Sequence, residues 1–155
     1  MSSETSVAKP FIFFELAGTT YAVETQVVQQ MEMVDHITPV PNAPSFVDGV
    51  VSARGQIVPV VNLRARFGFP RAANDAKTRL MVVAHEGRTV GLLVDSAKEF
   101  VTLAAETIKP PPEAVTGLSG KYLAGIATVG ERVILILEVR EVLHFQDLTL
   151  TSCAN

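Results

Sequence analysis

A single cysteine, Cys153, stands in the chain, close to its last residue, so no disulfide can form within the sequence and no thiol site is framed by helper groups. No apolar run approaches the roughly 18 residues that a membrane span requires. The first ten residues lack the basic segment and long apolar core of a signal peptide. These absences predict a cytoplasmic protein with no direct membrane insertion. Charge is sparse as well: 19% of residues are charged, the formal net charge is -3, and no basic patch stands out. The long-range attraction that nucleic acid binding needs is missing, which excludes nucleic acid as a partner.

Groups able to carry out chemistry are equally thin. His36, His85 and His144 form no metal-ligating spacing, and Asp35 beside His36 points to the opposite face of any strand that contains both. There is no phosphate-binding loop, no dinucleotide fingerprint and no nucleophile elbow, since the spacing around Ser119 is wrong for one. The sequence therefore predicts neither an enzyme nor a cofactor or metal site.

What the chain does have is an internal repeat. Residues 49–67 return in altered form as residues 125–143. Without a gap, Gly49 falls on Gly125, Ser52 on Thr128, Val60 and Val61 on Ile136 and Leu137, and Arg64 on Arg140. Each copy reads as a strand, a Gly-containing turn, a nearly unbroken apolar strand, and a polar residue (Asn62 or Glu138) that opens a short helix.

The flanking segments repeat more loosely. Residues 10–16 and 20–23 form a predicted hairpin across Gly18, and residues 79–84 and 89–94 form another across Gly87. A further strand is expected over 97–103. Thr25 is positioned to cap a short helix over 26–31, with Val27, Val28 and Met31 on one side. Pro39, Pro41 and Pro44 predict a structured loop, the three prolines at 110–112 predict an extended stretch, and residues 115–120 predict a Gly-bearing loop. The organisation is thus a loose tail at 1–9, a domain at 10–145 and a second tail at 146–155. Within the domain lie one half at about 10–70, a second at about 78–137 and a closing helix at 138–145. Many short strands, Gly turns and a duplicated plan favour a mainly β fold of two small barrels packed together.

The strands at 57–61 and 133–137 are apolar on both faces, whereas a lone barrel buries one. Either the chain's own helices or second barrel cover the outside, or a partner protein does. Pro59 places its strand at an edge or beside a bulge. Arg54, just before Gly55 in the hairpin turn, is either a plain exposed arginine or a guanidinium fork offered to a partner's carboxylate or carbonyl.

The block at 49–64, with Gly91 to Ser96, the prolines and glutamate at 110–113 and Tyr122 to Ala127, strongly resembles the CheW-type chemotaxis coupling proteins in content and order. The resemblance covers nearly the whole chain. It implies two SH3-like five-stranded β-barrels with short helices, forming a non-enzymatic adaptor. Its partners would be the regulatory domain of a CheA-type histidine autokinase, the cytoplasmic tip of a methyl-accepting chemoreceptor lying in the groove between the barrels, and other CheW-like domains in rings. The location would be a membrane-anchored or soluble receptor array. By the same resemblance Arg54 and Gly55 stand on the family's Arg-Gly turn, Gly49 on the glycine opening that block, and Val28 on an apolar position tied to receptor contact. The family usually has Asn-Leu before that turn, where this chain has Ser52 and Ala53, and an acidic residue near Gln30; Val58, in the strand behind the turn, completes the candidate partner-binding set. Two other readings remain open: an adaptor of a non-motility pathway (pilus or second-messenger), or a β-barrel binding a small ligand between its halves.

Overall fold

The computed structural model describes residues 8–34, 36–110 and 122–144. Eleven strands are present among them: β1 (Ala8–Leu16), β2 (Thr19–Glu24), β3 (Val28–Met33), β4 (Val47–Ala53), β5 (Gln56–Asn62), β6 (Arg79–His85), β7 (Arg88–Val94), β8 (Ser96–Ala104), β9 (Ile108–Lys109), β10 (Leu123–Val129) and β11 (Arg132–Leu137), with helices α1 (Leu63–Arg66) and α2 (Val139–Val142). The fold is mainly β, in two SH3-like sheets, as expected. Hydrogen bonding closes neither sheet into a ring among the described residues: the orders are β8-β1-β2-β11-β10-β9 and β3-β6-β7-β5-β4. Pro111, Pro112, Glu113, the loop at 115–120, most of both tails and Cys153 lie outside the described residues.

The gapless repeat survives folding. The copies match as β4 with β10, β5 with β11 and α1 with α2, and each first strand carries a register shift just before its glycine, between Val47 and Gly49 or Leu123 and Gly125. That glycine is required by a crossing backbone. A Cβ on Gly49, whose φ is +148°, would lie 2.1 Å from the Thr38 carbonyl oxygen; one on Gly125 would lie 2.6 Å from Ile108 Cγ2. Thr38, bridged to Val50, and the two-residue β9, paired with β10, are the same closing element in the two halves.

The sheets do not follow the halves of the sequence. The hairpin β1–β2 of the first half joins β10–β11 of the second through a parallel contact, with Leu135 opposite Tyr21. Reciprocally, β6–β7 of the second half joins β4–β5 of the first, with Val60 opposite Gly91. This exchange explains the two-faced apolar strands. Val61 and Leu137 enter a central core between the sheets with Phe14, Leu92 and Val142. Val60 packs inside its own sheet with Leu80, Val82 and Leu93, and Ile134 and Ile136 pack inside the other with Phe11 and Phe13. The second sheet supplies the cover, as the first of the two readings held.

One local expectation needs correction, and another resolves between its two alternatives. Residues 26–31 are not a helix: one 3-10 turn at Thr25–Val27 leads straight into β3. The register of β3 shifts between Val28 and Gln30, so Val28 opposite Val83 and Met31 opposite Met81 both face the central core. One extra residue in a strand thus imitates the i, i+3 spacing of a helix. Pro59 is not at an edge, since β5 lies between β4 and β7. It is next to the bulge, and its partner Val50 spends both backbone groups on Thr38, which leaves the Pro59 nitrogen pointing away from β4. On that side pairing with β7 begins only at Val60, so no ladder bond is lost.

Candidate functional site

Arg54 and Gly55 are the two central residues of the β4–β5 turn, with φ of +53° and +81°. Positive values at both match the twist of a two-residue hairpin and hold the arginine outward. Its guanidinium is exposed and has no hydrogen-bond or ion-pair partner among the described residues.

Below it lies an open depression of about 390 Å³, walled by Gln29 and Gln30 of β3 and by Ala53, Arg54 and Gln56, with Val58 and Val82 also lining it. Val58 is 1% exposed, so it shapes the base of the depression and offers a partner almost no surface. Gln30 is half-buried and donates through Nε2 to the Glu32 carboxylate, two residues along the same strand. The nearby acid therefore holds the glutamine, and the arginine stays available.

Of the other candidates, Val28 does not join this group, because the bulge turns it to the opposite face, against the central core. Gly49 is buried and serves the chain crossing over it. The structure thus brings Gln30, Arg54 and Val58 together at one rim, with Gly55 in the turn above, and sets Val28 and Gly49 elsewhere.

Exposed apolar side chains were missed by sequence reasoning. Ile57 is 69% exposed and its repeat counterpart Val133 is 55% exposed, both at the start of the second strand of the hairpin. Phe100, 75% exposed, pairs with Ile12 on the sheet face that turns toward the central core. Its position repeats that of Met31, because β8 carries the same register shift opposite β1 that β3 carries opposite β6. No sequence signal would have found it, because both bulges show only in the strand pairing. A second depression of about 330 Å³ is lined by Met33, Val34, Ile37, Val51, Ile57 and Leu80, with Glu32 and His36 also on its wall.

No reaction centre emerges from these residues. Among the described residues no three His, Cys, Asp or Glu side chains converge to hold a metal. His85 Nε2 is buried 3.6 Å from Glu86 Oε2, too far for a hydrogen bond, and His144 contributes its carbonyl to Arg66. No helix among them is long and apolar enough to cross a membrane.

Two interleaved SH3-like sheets carry open depressions at their rims, and comparison with known proteins places this fold in the adaptor class of scaffold. The chain belongs to the CheW-like domain family, whose model matches residues 10–147. It is 32% identical over 147 residues to the chemotaxis protein CheW of Klebsiella aerogenes, covering 95% of this chain and 89% of that protein. The solved structure of the scaffolding protein TtCheW from Thermoanaerobacter tengcongensis superposes with a TM-score of 0.82 at 27% identity, covering 94% of each chain. Protein FrzA of Myxococcus xanthus is 23% identical over 152 residues, covering 98% of this chain and 92% of that protein. The protein is a non-enzymatic scaffold of chemotaxis signalling, as the sequence led us to expect.

Proposed function

We propose that the protein couples the cytoplasmic tip of a methyl-accepting chemoreceptor to the regulatory domain of a CheA-type histidine autokinase in the cytoplasm, and helps build the array by contacts with other CheW-like domains. The observation that carries this reading is Arg54: an exposed guanidinium without an ion-pair partner among the described residues, held outward by a positive-φ turn at the mouth of a polar depression. Such a group costs little to leave in water and gains charge-assisted bonds when a partner brings a carboxylate or carbonyl. Transmission would then be a difference in contact energy between two arrangements of the bound kinase.

Pairwise titration tests the assignment. Wild type should bind both the receptor tip fragment and the kinase regulatory domain. Arg54→Glu should weaken the tip by roughly tenfold or more, as expected when a charge-assisted contact becomes repulsive, without lowering the melting temperature. Unchanged tip binding, or a variant that melts early, would contradict it.

The similarity to FrzA, a relative that does not carry the chemotaxis name, supports a second reading, in which the same adaptor chemistry serves a non-motility pathway (pilus or second-messenger). Binding to the kinase encoded beside this gene, and not to the motility kinase, would favour it.

A further inference from the structure

Glu32 settles which way the Gln30 side chain faces. An ionised carboxylate only accepts hydrogen bonds, so the NH2 end of the carboxamide must turn toward it; the opposite orientation would set two oxygens against each other. Gln30 Nε2 accordingly donates to Glu32 Oε2, and the side chain makes no other hydrogen bond among the described residues. Oε1 is left as its free polar atom.

β3 holds the two residues on one face, Gln30 opposite Val82 and Glu32 opposite Leu80, yet they line different depressions. Gln30 lines the one below Arg54, and Glu32 lines the apolar one beside Met33 and Ile57. The acid thus fixes the amide while staying out of the arginine's depression.

Among the residues lining that depression Arg54 carries the one formal charge, and no carboxylate is present. A guanidinium offers only donors, and Gln30 Oε1 only accepts. A carboxylate entering the depression would gain the first and oppose the second. A carboxamide satisfies both, its C=O accepting from Arg54 and its N–H donating to Oε1. A backbone amide in a folded partner has spent these groups inside its own secondary structure, which leaves the side chain of Asn or Gln as the matching group.

We infer that Glu32 is a positioning residue, and that the Gln30 amide it fixes makes the Arg54 rim select a side-chain carboxamide of the receptor tip over a carboxylate. The inference rests on the adaptor reading above and narrows the chemistry of its contact. Discrimination of this kind comes from the group left unpaired or opposed in the wrong partner.

The test is titration of the receptor tip fragment and of the kinase regulatory domain with wild type, Gln30→Met, Glu32→Gln and Arg54→Glu. Gln30→Met, which keeps the length and removes the acceptor, should weaken the tip by roughly three- to tenfold, the worth of one hydrogen bond, and leave the kinase domain unaffected. Each exposed Asn or Gln of the tip fragment is then changed singly to Asp or Glu. One such change should weaken binding to wild type by roughly tenfold, as an opposed charge does. Its penalty should shrink with Glu32→Gln, whose own carboxamide can accept as well as donate and so frees Gln30 to turn its NH2 outward, and with Gln30→Met, where no acceptor remains. A residue that merely supported the fold would not change this preference. Unchanged tip affinity in Gln30→Met, or amide-to-acid penalties that are the same in wild type and Glu32→Gln, overturns the inference, while loss of the tip by Arg54→Glu alone leaves the adaptor reading standing. A wild type that binds neither fragment overturns the adaptor reading itself.

Discussion

Asp95 fastens three parts of the molecule at once. Its carboxylate receives Arg64 as a fork, Nε at 2.9 Å and a terminal nitrogen at 2.6 Å, and accepts from the Ala17 N–H at 2.9 Å. The arginine's hydrogen bond, its charge and the Ala17 N–H all hold the carboxyl below the ordinary aspartate value against the opposing effect of burial, with the arginine bond largest. A lowered carboxylate pKa contributes stability that is present above the unfolded value, near 3.9, and is lost as pH falls through the lower folded value. Melting temperature should therefore decline below about pH 4 more steeply in wild type than in Asp95→Asn. At neutral pH the variant should be less stable by about 1–2 kcal/mol, the pair being partly exposed. Parallel declines in the two proteins would remove Asp95 from the account. Arg66 belongs to the same scale. It donates to the carbonyls of Val142, Glu141 and His144 at the end of α2 and lies over the rings of Phe46 and Tyr122. Arg66→Ala should cost about 2–4 kcal/mol in urea unfolding, since it strips carbonyls and rings together. Arg54 could be found in the sequence because a turn is local. Arg66 could not, because the carbonyls it binds lie 75 to 78 positions away.

At the scale of the element, the duplicated hairpin was legible because its pattern is contiguous: strand, turn, apolar strand, polar opener. Asn62 behaves as read, its Oδ1 accepting from the Ala65 N–H at 3.1 Å, whereas Glu138 makes no side-chain cap to α2. The β3 segment was misread because a bulge and a helix turn can place the same side chains on one face, and only the partner strand distinguishes them. The two crossing glycines give the prediction at this level. Gly49→Ala and Gly125→Ala should each lower stability by about 2–4 kcal/mol, because backbone or a packed side chain must retreat. The same change at Gly18, where a Cβ would meet nothing within 4 Å, should cost less, only the penalty of its positive φ. Equal losses at all three sites would mean that crowding at the crossing is not what the glycines relieve.

For the whole molecule, what the sequence could not convey is the exchange of hairpins. Repeats in a chain read naturally as two adjacent units, yet each sheet draws strands from both halves and the central core takes residues from both sheets. Residues 8–70 and 75–144 should accordingly fail to fold apart and gain sheet structure by circular dichroism when mixed. An independently folded half would contradict the interleaving. The exchange also ties the two sheets together through one shared core, which suits a protein that must hold partners in fixed relation. That role is tested most directly by sedimenting the kinase regulatory domain with assembled receptor tip fragments, with and without this protein. The account predicts that the kinase domain reaches the pellet in quantity only when the adaptor is present, and that Arg54→Glu abolishes the effect. A kinase domain that sediments equally well without the adaptor, or not at all with it, would contradict the coupling function.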